Sequence, residues 1–116
     1  MPESYSTNTV DAGRGIHEVR LRGRIYADES PKLKEEVMAL AEGGLRGLLV
    51  DASELEQIDS SGLNVFVSVL KRIRPEGGKI VFFGLNPNIH RVFEITKLER
   101  VMGVSADRQA ALGSLA

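Results

Sequence analysis

The chain is expected to fold as an α/β domain, and three observations carry that expectation. Segments with strand patterning recur between segments with helical spacing, in the order strand, strand, helix, strand, helix, strand, helix, strand, helix. Strands alternating with helices of this length call for a sheet joined by right-handed crossovers. Glycine, proline and asparagine clusters mark the junctions between the segments. With 116 residues there is room for one core, so residues 1–116 are expected to form a single domain.

Met1 to about Asn8 is polar and reads as a frayed start or a short edge strand running on through Thr9-Val10. Asp11-Ala12-Gly13-Arg14-Gly15 is a turn signal that suits a hairpin. In the next stretch Val19, Leu21 and Ile25 point one way, and Glu18, Arg20, Arg22 and Arg24 the other. Period two over this length means a strand with one wet face. Asp28-Glu29-Ser30-Pro31 announces a helix, with Ser30 as N-cap and Pro31 at the first helical position. Leu33, Val37, Leu40 and Ala41 give its buried stripe, and Gly43-Gly44 ends it.

A buried strand is expected at Gly47–Asp51, followed by a short polar link and the turn Ile58-Asp59-Ser60-Ser61-Gly62-Leu63. A helix starts at that turn, with Leu63, Phe66, Val67, Leu70 and Ile73 on one face and Asp59 or Ser60 as its cap. After the break at Pro75-Glu76-Gly77-Gly78, the apolar run Lys79–Gly84 suits a strand covered on both faces. Asn86-Pro87 starts a third helix carrying Ile89, Val92 and Phe93. Val101–Val104 is a last short strand, and Ser105-Ala106-Asp107 caps a terminal helix with Ala110, Ala111 and Leu115 inward.

Composition narrows the function classes. Hydrophobic residues make up 42% and charged residues 27%, the balance of an ordinary globular protein. A formal charge of −1 gives no general drive toward nucleic acid or membrane. The absence of cysteine rules out disulfides and thiolate chemistry and suits a reducing, cytoplasmic setting. His17 and His90 have no neighbours at metal-ligand spacing, and Gly-x-Ser-x-Gly is absent, so neither a metal centre nor a hydrolase is expected. Gly43-Gly44 and Gly77-Gly78 are not followed by the lysine and hydroxyl of a phosphate loop. Arg20, Arg22 and Arg24 form a basic stripe. Nearby acids are expected to balance it, and no aromatic residues interleave for base stacking.

The informative stretch is Asp59-Ser60-Ser61-Gly62. On pattern alone it is either a capped strand-to-helix turn or a phosphoacceptor. A phosphoserine carries roughly −1.5 to −2 charges at neutral pH. At a helix N-terminus that charge meets unpaired N–H groups, while Asp59, Glu54 and Glu56 oppose it.

Asp59-Ser60-Ser61-Gly62-Leu63, preceded by Val50-Asp51 and followed by this helix, resembles the STAS domain family. More narrowly, it is similar to the stand-alone bacterial anti-sigma-factor antagonists. Leu21-x-Gly23, Gly77-Gly78 before Ile80–Phe83, Leu85-Asn86-Pro87 and Thr96-Lys97-Leu98 agree in order and spacing, so the likeness covers roughly Ile16 to the C-terminus. The resemblance implies a single compact STAS-like domain with a mixed, mostly parallel β-sheet and about four helices packed largely on one side. It implies a protein with no catalyst or cofactor of its own, a monomer or weak dimer. The unphosphorylated form would bind an anti-sigma factor that is also a serine kinase with a histidine-kinase-like ATPase fold, freeing the sigma factor. Phosphorylation at Ser60 would break that complex, and a metal-dependent serine phosphatase would reset it. Asp59 would hold the turn, Gly62 would let the partner backbone approach, and Leu63, Asn64 and Ser61 would belong to the contact. Where family members commonly carry an acidic residue and then an aspartate after the second strand's glycine, this chain has Arg24 and Tyr26. Those positions are therefore expected at the partner surface. The other reading within the family is a constitutive scaffold in a signalling or transport assembly, where the turn is a cap and not a switch.

Overall fold

The computed structural model describes residues 4–115. The first three residues of the expected N-terminal segment, Met1 to Glu3, lie outside the described residues, as does Ala116. The elements are β1 (Tyr5–Asp11), β2 (Ile16–Ile25), α1 (Ser30–Glu42), β3 (Gly47–Ile58), α2 (Ser60–Ile73), β4 (Lys79–Phe83), α3 (Pro87–Thr96), β5 (Gly103–Ser105) and α4 (Arg108–Leu115). Their order is the one the alternation of patterns predicts. The five strands lie in chain order across one sheet, with β1 antiparallel to β2 and the other three pairings parallel.

Two apolar layers hold the sheet. On one face Leu33 of α1, Phe66 of α2 and Phe93 of α3 join Val19, Leu21, Leu48, Val50, Ile80 and Phe82 in a single core. The other face is covered more thinly by α4, whose Ala111, Leu112 and Leu115 lie over Leu49, Val81 and Phe83. This is why the β4 sequence is continuously apolar: both faces are dry. It also revises the last helix, where Ala110 is exposed and Leu112 takes its place inward.

α4 changes the expected wet face of β2. Arg108 donates to both carboxylate oxygens of Glu18 at 3.3 Å, and Glu18 is only 7% exposed. Further along that face Arg20 meets Asp51 at 3.1 Å and Arg22 meets Glu54 at 3.0 Å. Two of the three arginines in the stripe are thus balanced by acids, as expected.

Asp51 is buried, with Arg20 above it. Burial by itself would raise its pKa, but the Ser53 hydroxyl and N–H, together with Arg20, outweigh burial and hold the carboxyl below its ordinary value. A carboxylate depressed on folding contributes stability above its unfolded pKa of about 4 and loses it as pH falls through the folded value. Urea midpoints measured from pH 7 downward are therefore expected to drop below about pH 4, with a shallower drop in Asp51→Asn.

Two further expectations are corrected. Ser30 is not the cap of α1: it is buried as the first helical residue, and its hydroxyl donates to the Tyr26 carbonyl at 2.8 Å. The turn is closed instead by the Glu29 carboxylate, which accepts from the Tyr26 N–H at 3.0 Å. The polar link after Asp51 is also not a link, because β3 continues to Ile58. From Arg20 to Arg22 β2 advances two residues while β3 advances three, Asp51 to Glu54. From Gly23 to Arg24 it advances one while β3 advances two, Leu55 to Gln57. Each extra residue is a bulge, which bends the strand and breaks its alternation.

Candidate functional site

The extended end of β3 delivers the chain to α2, and Asp59 is the hinge. Its backbone is extended, at φ −96° and ψ −178°, and its N–H donates to the Ile25 carbonyl at 3.1 Å. One carboxylate oxygen accepts from the Gly62 N–H at 3.0 Å, capping α2. The other accepts from the Ala27 N–H at 3.1 Å, tying down the loop that leads to α1. Of the two candidate caps, Asp59 is therefore the one used. Replacing Asp59 with alanine is expected to cost about 1–2 kcal/mol of stability. Ser60→Ala is expected to change it by less than about 0.5 kcal/mol. Chemical denaturation of the two variants side by side checks the difference.

Ser60 is the first residue of α2 and is exposed. Among the described residues its hydroxyl has no hydrogen-bond partner, because the capping bonds belong to Asp59. At a helix start the first N–H groups, here those of Ser60 and Ser61, have no intrahelical acceptor. The neighbouring Asp59 carboxylate makes the immediate surroundings of Ser60 acidic.

The other residues singled out in the sequence divide into surface and support. Ser61 is half-buried and Asn64 exposed; both line an open groove of about 300 Å³ between α1 and α2, with Lys34 and Pro31 on its far wall. Lys34 carries no mark in the sequence, since only the packing of α1 on α2 brings it here. Arg24 is exposed, with no ion pair among the described residues, and stands opposite Gln57 in the β2–β3 register. Tyr26 is half-buried, and its hydroxyl hydrogen-bonds the Gln57 side chain.

Gly62 and Leu63 lie beneath the surface, against expectation. Leu63 is 8% exposed and belongs to the core. A Cβ on Gly62 would sit 2.6 Å from Ile58 Cγ1 and 2.9 Å from the Ile25 carbonyl oxygen. The close approach that needs glycine is therefore internal: α2 rests directly on the ends of β2 and β3. Asn86 completes the support. Its amide nitrogen donates to the carbonyls of Leu55 and Glu56, each at 3.1 Å, and its side-chain oxygen caps α3 through the Ile89 N–H at 2.9 Å. The bulged end of β3, which β4 is too short to reach, thus keeps a hydrogen-bonding partner.

Among the described residues no base is hydrogen-bonded to Ser60. His90 lies on α3 with its ring against Glu94 at 2.9 Å, and His17 stands near Thr9 on β1. Among the described residues no group of three or more histidines or carboxylates is placed to hold a metal ion. No helix among them is long and apolar enough to cross a membrane.

Known proteins share this fold and stretches of this sequence. A family model described as the STAS domain matches residues 9–111. Over 89 residues the chain is 37% identical to the anti-sigma-B factor antagonist of Listeria monocytogenes serovar 1/2a, a match covering 75% of this chain and 76% of that protein. An anti-sigma factor antagonist from Mycobacterium paratuberculosis has the same fold, with a TM-score of 0.82 at 23% identity, covering 99% of this chain and 97% of that one. So has the Bacillus cell fate determinant SpoIIAA in its phosphorylated form, with a TM-score of 0.76 at 16% identity, covering 97% of this chain and 99% of that one.

Proposed function

The chain belongs to the STAS domain family, and we propose that it is an anti-sigma-factor antagonist whose hold on its partner is broken by phosphorylation of Ser60. The observation that carries this reading is the free, exposed hydroxyl of Ser60 at the start of α2, relieved of capping by Asp59. The rest of the cycle is supported by the resemblance to the STAS family's anti-sigma-factor antagonists. The unmodified antagonist binds an anti-sigma factor through the surface around Ser60, Ser61 and Asn64, and the sigma factor is freed in the cytoplasm. The anti-sigma factor is itself a serine kinase with a histidine-kinase-like ATPase fold. Its catalytic groups take the Ser60 proton while Oγ attacks the γ-phosphorus of ATP, and ADP leaves. The antagonist supplies the acceptor and no catalyst or cofactor, acting as a monomer or weak dimer.

The added dianion meets the Asp59 carboxylate and a partner surface that was fitted to a neutral hydroxyl. Burying it unpaired costs several kcal/mol, and about 1.4 kcal/mol is already tenfold in affinity. A metal-dependent serine phosphatase then removes the phosphate and resets the cycle.

The test is direct. The protein is incubated with its cognate anti-sigma kinase and ATP, and the modified residue is mapped by mass spectrometry. One phosphate on Ser60, absent from Ser60→Ala, is the expected result. Phosphate elsewhere, or none, contradicts the reading and leaves the constitutive scaffold in its place.

A further inference from the structure

The formal charge of −1 conceals a basic edge at the end of the sheet remote from Ser60. β2, β3 and β4 start in register, Ile16 beside Gly47 and Gly47 beside Lys79. The turns feeding them are stitched together. The N–H groups of Arg46 and Gly47 both donate to the Gly15 carbonyl, at 2.8 and 3.1 Å, and the Lys79 N–H donates to the Arg46 carbonyl at 3.0 Å. These bonds bring Arg14, Arg46 and Lys79 to one cleft of about 350 Å³. An adjoining cleft of about 480 Å³ is lined by Lys79 again, with Arg74 and Arg100, over a floor that includes Ile80 and Met102. Lys79 and Gly77 line both clefts, so the two form one groove under the starts of the parallel strands.

All five cationic residues are exposed, and among the described residues none is in an ion pair. Among the described residues a single carboxylate, Glu99, shares the lining. Like charges held this close in a concave surface focus a positive potential into it. Nothing in the fold uses that potential.

We propose that this groove docks an acidic stretch of a second protein. Four strand starts at about 4.8 Å spacing span roughly 14 Å. An extended chain covers that distance with about four residues. The cations are strung along the groove and do not converge on a point, which suits a linear polyanion better than a compact one. No aromatic residue lines either cleft to stack a base, so a nucleic acid strand is disfavoured. The length of β3 separates the groove from Ser60, on the order of 30 Å. The inference therefore goes beyond the phosphoswitch and does not rest on it; the domain can hold an acidic partner at one end while the other end is switched.

The test uses a fluorescently labelled hexaglutamate peptide, followed by polarisation at about 0.1 M salt, where exposed charges more than about 10 Å apart are largely screened. The pair Arg46→Ala with Lys79→Ala is expected to weaken binding at least about tenfold. The pair Arg14→Ala with Arg100→Ala removes charge from the two ends of the groove and is expected to act in the same direction. Lys71→Ala with Arg72→Ala removes as much charge from the exposed last turn of α2, outside the groove, and is expected to change binding less than about twofold. Ser60→Asp is expected to leave peptide binding unchanged, so failure here and failure of the switch are told apart. The proposal is overturned if the wild-type protein does not bind the peptide, or if the control pair weakens it as much as the groove pairs. It is also overturned if a six-nucleotide thymidine strand binds more tightly than the peptide, or if inorganic phosphate at matched concentration displaces it.

Discussion

Replacing Phe82 with alanine is expected to destabilise the domain by about 3–5 kcal/mol, the range for losing a fully buried phenylalanine. Phe82, the penultimate residue of β4, is 0% exposed. Its ring makes edge-to-face contacts with Phe66 of α2, at 5.1 Å and 77°, and with Phe93 of α3, at 4.9 Å and 68°. Such pairs contribute about 0.5–1.5 kcal/mol beyond the area they bury. One side chain thus joins β4 to two of the three helices on that face, including the helix that presents Ser60. Truncation leaves a cavity that two helices would have to close together, and each is anchored elsewhere, α2 through Asp59 and α3 through Asn86. Urea unfolding monitored by circular dichroism measures the effect. A loss under about 1 kcal/mol would mean that the layer collapses around the gap and that the aromatic chain does not position α2.

Ser60→Asp is expected to weaken binding to the anti-sigma factor by about a hundredfold or more, because a charge worth several kcal/mol of desolvation replaces a neutral group in the contact. Its effect on folding has the opposite sign. An acid in the first turn of a helix is favourable by about 0.3–1 kcal/mol, so the variant is expected to be as stable as the wild type or slightly more so. Ser60→Ala keeps both stability and binding. A variant that folds well and does not bind separates a switch from a structural defect. If Ser60→Asp binds as tightly as wild type by calorimetry, the serine is only the first residue of a helix.

The element order was legible in the sequence because each junction carries its own chemistry. Gly43-Gly44, Pro75 to Gly78 and Asn86-Pro87 all break the chain where the structure does, and the Asp59 cap is readable three residues before Gly62. What escaped depends on contacts between elements. The end of β3 could not be read because two bulges spoil its alternation: Ala52, Leu55 and Ile58 face the core three residues apart, neither a strand's period nor enough for a helix. Glu18 looked solvated because the helix that covers it, through Arg108, lies 90 residues away in sequence. By resemblance Gly62 makes room for a partner, and only the positions of Ile25 and Ile58 show that the room is already filled. The basic groove left no local signal either. Arg14, Arg46, Arg74, Lys79 and Arg100 are scattered along the chain; hydrogen bonds between the turns gather Arg14, Arg46 and Lys79, and Arg74 and Arg100 join them only in the folded groove.

The central claim is that one hydroxyl at the start of α2 decides whether two proteins stay together. It is tested most directly by titrating the anti-sigma factor with two forms of the same preparation, one unmodified and one carrying a single phosphate on Ser60, in an isothermal calorimeter. The account predicts tight binding by the first form and a loss of about a hundredfold or more in the second. Equal affinities for the two forms would contradict it.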